Sequence, residues 1–384
     1  MYLLLLAIIY LAFISLGLPD SLLGSAWPTV YAEMNVPISY MGIITIIIST
    51  GTVLSSLMTD KAVAKFGTRI VTAISTLLTA IALFGFSMAT EFYQLCLLGI
   101  PYGLGAGAID AALNNYVATH YNSKHMSWLH CFWGVGTIIS PSIMSFALTH
   151  GSWNDGYRAI SVIQLMIALV VLLSSPLWRV NNKKNSETEP GVTPIGIGQA
   201  VKIKGVPSVL IGFMCYCAAE ATAMLWTSSY FEGVFKVEKE EAAILGSLFF
   251  LGMTAGRALS GFIADRVGDS SMIGFGGIIA IVGASLTALP VKEIAIIGFI
   301  ILGLGCAPIY PSIIHMTPAR FGKERSQSII GIQMASAYVG ATLMPPLFGI
   351  IANYVNIGLM PLYLMFFLEI MLILIGHFGK KTLK

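Results

Sequence analysis

The chain has 384 residues, of which 56% are hydrophobic and only 10% charged, with a formal net charge of +3. Soluble domains carry about 25% charged residues, so the composition excludes a soluble globular fold and points to an integral membrane protein. The slight positive balance reflects loop charge and excludes a nucleic-acid partner; the partner it implies is the lipid bilayer.

Only helices and closed barrels satisfy their backbone groups in lipid. The apolar runs here are roughly 18–25 residues long and do not alternate, which predicts helices. Twelve segments follow in chain order: 2–27, 39–60, 69–89, 92–119, 127–149, 157–178, 207–232, 241–264, 272–290, 293–315, 326–353 and 358–378. The opening run MYLLLLAIIYLAFISLGL has no basic leader and no small-residue cleavage site, so it is expected to stay as the first helix. Residues 179–206, rich in Asn, Lys, Glu and Pro, are expected to be a cytoplasmic linker between a six-helix bundle at 1–178 and a second at 207–384. All five cysteines (Cys96, Cys131, Cys215, Cys217, Cys306) fall within predicted helices, which argues against a disulfide framework or a zinc site.

The basic residues set orientation. Sixteen of the 21 Lys and Arg lie at the termini and on the loops of one side, including Lys61, Lys65, Arg69, Lys124, Arg266, Arg320, Lys323 and Arg325. Four lie opposite (Arg158, Lys236, Lys239, Lys292), and Arg257 lies within a segment. Basic loops stay inside, so both termini are expected in the cytoplasm and the chain in the inner (plasma) membrane.

The two halves repeat at an offset of about 200. Gly103 and Gly105 match Gly303 and Gly305; Asp20 and Trp27 match Glu220 and Trp226; Gly136 and Pro141 match Gly340 and Pro345. Parallel six-helix repeats place a solute site between them near the midplane.

Three acids interrupt the apolar segments: Asp20, Asp110 and Glu220. Each costs on the order of 2.5–3.5 kcal/mol in hydrocarbon, and the default reading of such a group is a pathway for protons or polar solute. Gly103, Gly107, Asp110 and Asn114 share one face of the fourth segment; the glycines suit a packing seam, which gives no reason for Asp110. Asn114 is split between solute contact and an interhelical bond. Asp20 follows Pro19, which frees a carbonyl one turn earlier and predicts a kink. Trp27 reads equally as an interfacial anchor or a solute-stacking ring. The seventh segment adds Tyr216, Glu220, Trp226 and the polar run Thr227–Tyr230, a set of neutral donors, acceptors and flat rings suited to sugar hydroxyls. His130 is a packing histidine or a proton relay. Tyr310, the counterpart of Asp110, and Gln333 and Tyr338 complete the candidate solute contacts.

The stretch Gly252–Gly268, GMTAGRALSGFIADRVG, resembles the loop 8–9 signature of the major facilitator superfamily, and Asp60 to Arg69 is its weaker counterpart in the first half. The resemblance implies twelve helices in two pseudo-symmetric bundles, an all-α membrane fold, with a monomer as the usual form. It places Asp60, Arg69, Arg257, Asp265 and Arg266 in a cytoplasmic gate, Arg257 in company with Asp265 or a neighbouring half. Three further stretches resemble the fucose-permease-like branch: Gly17–Asp20 with Trp27 and Pro28, Gly103 to Asn115, and Leu129 to Gly136. That resemblance implies that Asp20 and Asp110 serve sugar binding and proton coupling. Glu220 departs from the branch pattern and leaves open which acid carries the proton.

The expected function is secondary active transport by alternating access: proton-coupled symport of a small polar solute such as a sugar, with Asp110, Glu220, Asp20 and His130 as the proton-coupling set. A carboxylate serves sodium as well, so the coupling ion stays open. The alternative is a proton-driven exporter of drugs or metabolites; Ser142 and Ile143 after Pro141 depart from the glycine-rich run of antiporters. No nucleophile–base pair or metal-ligand cluster suggests an enzyme, and no cofactor is expected.

Overall fold

The computed structural model describes residues 2–37, 40–178 and 195–379. Arg179 to Pro194 of the expected linker therefore lie outside the described residues. Every element described is helical, as length and apolar composition require for a chain that must close its own backbone hydrogen bonds in lipid. The elements are α1 (Tyr2–Asp20), α2 (Leu22–Glu33), α3 (Met41–Phe66), α4 (Thr68–Phe86), α5 (Phe92–His120), α6 (Ser123–His150) and α7 (Trp153–Leu173). Then come α8 (Ile197–Ala200), α9 (Val206–Phe235), α10 (Lys239–Gly246), α11 (Leu248–Val267), α12 (Asp269–Thr287) and α13 (Lys292–Cys306). The last are α14 (Ile309–His315), α15 (Thr317–Phe321), α16 (Lys323–Ile351) and α17 (Met360–Gly379).

Among the described residues, eleven runs are long and apolar enough to cross a membrane, and the last spans 53 residues, Lys323–Ile375, enough for two passages. It doubles back. A π turn at Ala352–Asn356 and a 3-10 turn at Ile357–Leu359 separate α16 from α17, and Asn356 accepts from the Gly358 N–H at 2.7 Å. Beyond them the Tyr363 hydroxyl reaches the Met344 carbonyl at 2.8 Å, and its ring centroid lies 5.1 Å from that of Phe348. Residues that far apart in sequence would be about 28 Å apart in a straight helix. Counted so, the described residues supply twelve membrane-length segments, as the sequence predicts.

Two compact units are present. The first comprises Met1–Tyr116, Leu129–Pro194 and Lys323–Met334. Within it, α4 packs on α7 and both meet α1. Small residues draw the remaining helices together: a Cβ on Gly103 would overlap the Ile48 carbonyl, one on Gly107 the Thr52 carbonyl, and one on Gly17 the Trp133 carbonyl. An apolar core of Trp27, Phe86, Trp153, Tyr157 and neighbouring aliphatics closes one end.

The second unit comprises Val117–Trp128, Ile195–Gly322 and Ala335–Lys384. Here α12 packs on α13 and α17, and α9 on α17. The seam between α11 and α13 again depends on glycine: a Cβ on Gly252 would strike the Ile300 carbonyl, and one on Gly303 the Phe249 carbonyl. The repeat read from the sequence is thus a repeat of backbone contacts. It extends to the turns, where Gly67 (φ 78°) and Gly268 (φ 79°) both take the left-handed region that L side chains avoid.

The outer surface carries large apolar side chains that are more than half exposed, among them Ile46, Met58, Phe146, Leu173, Phe262 and Ile373. Water would penalise such a belt, whereas acyl chains suit it.

Candidate functional site

In the first unit the helix from the N-terminus breaks at Ser21, directly after Pro19 and Asp20. Proline has no N–H to give the carbonyl four residues back. The Ser21 hydroxyl leaves its own helix and donates to the Thr137 carbonyl at 2.8 Å. The break presents the Asp20 carboxylate as an exposed group. Its Oδ1 accepts from the Tyr102 hydroxyl at 3.3 Å and its Oδ2 from the Trp133 indole N–H at 2.8 Å. Both donors are neutral. Among the described residues no Lys, Arg or His lies within ion-pair distance of Asp20.

Asp110 lies two helical turns beyond Tyr102 on α5, about 12 Å along the axis. It is buried, at 4% exposure. Asn114, one turn further, donates from Nδ2 to Asp110 Oδ1 at 2.7 Å and to the Asp110 carbonyl at 3.0 Å. The Asn114 carbonyl oxygen faces His130 Nε2 at 3.1 Å, and the Phe13 ring packs edge-on to the imidazole. Thus α6 brings Trp133 to one acid and His130, one turn away, to the network of the other. The structure brings Asp110, Asn114 and His130 together and holds Asp20 in a separate cluster.

In the second unit Glu220 and Arg257 form an ion pair, Oε1 to Nη2 at 3.3 Å, with side chains 13% and 8% exposed. Arg257 thus meets the acid of the seventh predicted segment. Tyr216 donates to the Cys306 carbonyl at 2.9 Å. Its ring meets Tyr310 at 6.4 Å between centroids, and Phe213 meets Tyr310 at 4.7 Å. Tyr310 therefore belongs to an aromatic wall beside the pair. Trp226 is fixed by its indole N–H to the Pro345 carbonyl at 3.0 Å, with Phe348 edge-on.

Trp27 is 3% exposed and packs against Tyr31 and Phe92 within the apolar core. Gln333 is fully buried in the first half of α16, while Tyr338, further along the same helix, is half-buried. Tyr102 and Trp133, which hold Asp20, are functional candidates that sequence reasoning misses. The available signal is register: Tyr102 precedes Asp110 by eight residues and Trp133 follows His130 by three, spacings that put each on the same helix face as a predicted site residue.

At the Lys- and Arg-rich ends, the acid of each loop motif meets the start of another helix. Asp60 accepts from the Ser328 hydroxyl of α16 at 2.7 Å, and a Cβ on Gly331 would overlap the Ser56 carbonyl. Asp265 accepts the Lys124 N–H of α6 at 3.0 Å and lies 3.4 Å from Lys124 Nζ. The Asp265 contact uses a helix N-terminus, whose N–H groups point outward unpaired and favour a carboxylate, whereas Asp60 takes a side-chain hydroxyl from the second turn of α16. Arg69 does not pair with Asp60; it donates to the Leu172 carbonyl at 2.6 Å and closes the end of α7. Arg266 is exposed.

A family model described as Major Facilitator Superfamily matches residues 9–238 and 208–381. The chain is 21% identical over 384 residues to Bypass of stop codon protein 6 of Saccharomyces cerevisiae, covering 91% of this chain and 77% of that protein. It is 21% identical over 350 residues to the glucose/mannose transporter GlcP of Bacillus subtilis, covering 88% and 86%. Among solved structures, one of the E. coli fucose:proton symporter FucP superposes with a TM-score of 0.76 at 15% identity, covering 98% of each chain. At that identity the likeness concerns the fold.

Proposed function

The chain belongs to the major facilitator superfamily, and from that premise we propose that it is a proton-coupled symporter of a small polar solute, a sugar, working by alternating access. That it is a multi-pass membrane transporter follows from the family. The solute, the coupling ion and the orientation, with the basic face toward the cytoplasm, are the proposal.

One observation carries it. Asp20 is an exposed carboxylate at a helix break, between a phenol and an indole and with no described counter-cation. Sugar hydroxyls bind through strong acceptors, neutral donors and flat rings, and that cluster supplies each. A lone carboxylate in an apolar bundle is also costly to enclose. Protonation removes the charge, so an occluded state with solute and proton together is favoured over one with solute alone. Asp110, tied through Asn114 to His130, is the second acid of the coupling set. Glu220 is the member whose charge is already matched, by Arg257. The names of the Bacillus and E. coli relatives agree with this solute class.

The test is uptake of labelled hexoses into proteoliposomes under an imposed pH gradient, with Asp110→Asn beside the wild type. Accumulation is expected to fall to the equilibrium level in Asp110→Asn while exchange at equal pH persists. Undiminished accumulation in that variant overturns the assignment of Asp110. A wild type that accumulates no sugar under any gradient overturns the symport reading.

A further inference from the structure

In the second unit, the turn after α5 and the first turn of α6 meet α12 and α14. His315, the last residue of α14, places Nδ1 2.6 Å from Asp269 Oδ2 and Nε2 2.9 Å from the Tyr121 carbonyl oxygen. A carbonyl only accepts, and so does an ionised carboxylate. Neutral imidazole carries one N–H and could satisfy only one of them. Both bonds form when the pair holds one more proton, whether it lies on the ring or on Asp269. The same carboxylate takes the Ser123 hydroxyl at Oδ1, at 2.5 Å. The other titratable groups acting on His315 are Asp265 and His125; Lys124, beside His125 in the first turn of α6, pairs with Asp265 at 3.4 Å.

We infer that the His315–Asp269 pair is a second proton site, apart from the transport acids, whose occupancy closes a clamp between the 121–125 turn and the α12 and α14 helices. The turn belongs to the first sequence repeat and the two helices to the second, so their separation is what opening this basic face demands. In that respect the inference rests on the alternating-access reading above. The bound species is a proton drawn from the side of the basic face. Its loss removes one of the two imidazole bonds and leaves an acceptor facing an unprotonated nitrogen. A hydrogen bond to a charged group shifts a population by about tenfold to a hundredfold. By linkage, the closed arrangement binds the proton better than the open one, so closure is favoured at low pH on this side and lost as pH rises. Transport therefore slows when the basic-face compartment acidifies.

The test needs no solute. Spin labels on cysteines placed at the exposed positions Asn122 and Ser271 report the clamp as a distance in nanodiscs, between pH 6 and pH 8. In the wild type the long-distance population should grow about tenfold or more over that range. His315→Gln has no proton to lose and cannot donate to both acceptors, so it should be open and insensitive to pH. Asp269→Asn can donate its amide to neutral Nδ1 while Nε2–H keeps the Tyr121 carbonyl, so it should stay closed at pH 8. Opposite, pH-flat behaviour of the two variants supports the clamp. A wild-type distance that ignores pH, or variants that follow the wild-type curve, overturns it. Because the readout is a distance, a pH response in a protein that accumulates no sugar would sustain the clamp while the symport reading fails.

Discussion

Asn114 gives its amide hydrogens to Asp110, at 2.7 Å to the carboxylate and 3.0 Å to the backbone carbonyl, so only its own carbonyl oxygen faces His130 at 3.1 Å. Two acceptors on one side fix the amide orientation by chemistry. His130 must then present Nε2–H. The buried acid and the histidine are therefore read out through a polarised amide, and the proton configuration of one constrains the other.

Replacing Asn114 by Leu keeps the branched shape and deletes the link. Buried groups left without partners cost about 1–3 kcal/mol each. Asn114→Leu is expected to lower the melting temperature of the purified protein by several degrees and to abolish gradient-driven accumulation. Asn114→Asp, which keeps the shape but adds a charge beside Asp110, is expected to retain less stability than the wild type in a fluorescence melting assay.

Trp133→Phe tests the Asp20 cluster while keeping an aromatic side chain. The indole N–H to Oδ2 is lost. A hydrogen bond to a charged acceptor is worth about 1.5–3 kcal/mol, so solute affinity is expected to weaken about tenfold or more in calorimetry. Tyr102→Phe removes the longer bond, 3.3 Å, and is expected to cost less. If both variants bind as the wild type does, Asp20 does not organise the site.

The Glu220–Arg257 pair should show strong coupling. Removing one partner of a buried ion pair leaves an uncompensated charge and costs about 3–5 kcal/mol. Glu220→Gln and Arg257→Gln are each expected to be markedly destabilised, and the double variant less so than the sum. A thermal-unfolding double-mutant cycle measures the difference. Additive losses would mean that the 3.3 Å contact carries no interaction energy.

The glycine seams predict a sharp contrast between positions. A Cβ at Gly103 or Gly303 would overlap a carbonyl of the neighbouring helix, whereas one at Gly24 or Gly134 meets nothing within 4 Å. Gly103→Ala and Gly303→Ala are expected to lower expression and melting temperature, with overpacking costs of about 1–3 kcal/mol. Gly24→Ala and Gly134→Ala are expected to behave as the wild type in size-exclusion and melting assays.

Much of the fold is legible in the sequence because hydrocarbon imposes it. Segment length, the Pro19 break before Asp20 and the glycine offset of about 200 all follow from rules that act along one helix or one repeat. What stays hidden is which face looks at which neighbour. Arg257 reads as a gate residue because it lies near the inner end of its predicted segment; only packing reveals that its guanidinium meets Glu220. Trp27 fits an interfacial pattern, yet Tyr31 and Phe92 enclose it. The loop motif groups Arg69 with Asp60, whereas its guanidinium takes the end of α7. Tyr102 and Trp133 carry no motif at all, since a hydrogen-bond donor becomes a site residue only when another helix brings it an acid.

At one level, that of Gly107 and Ala307, the two seams solve a steric problem from opposite sides. In the first, the missing side chain is on α5, where Gly107 makes room for Thr52, Ser55 and Ser56; in the second it is on α11, where Gly256 receives the Ala307 methyl. At that level the duplicated halves differ in a compensating pair, although Gly103 and Gly303 still match. A chimera that exchanged α5 for its counterpart would press a methyl group into an occupied wall, and the reverse graft would leave a hollow. Any attempt to rebuild an ancestral, perfectly symmetric version of this protein has to move both faces of a seam at once.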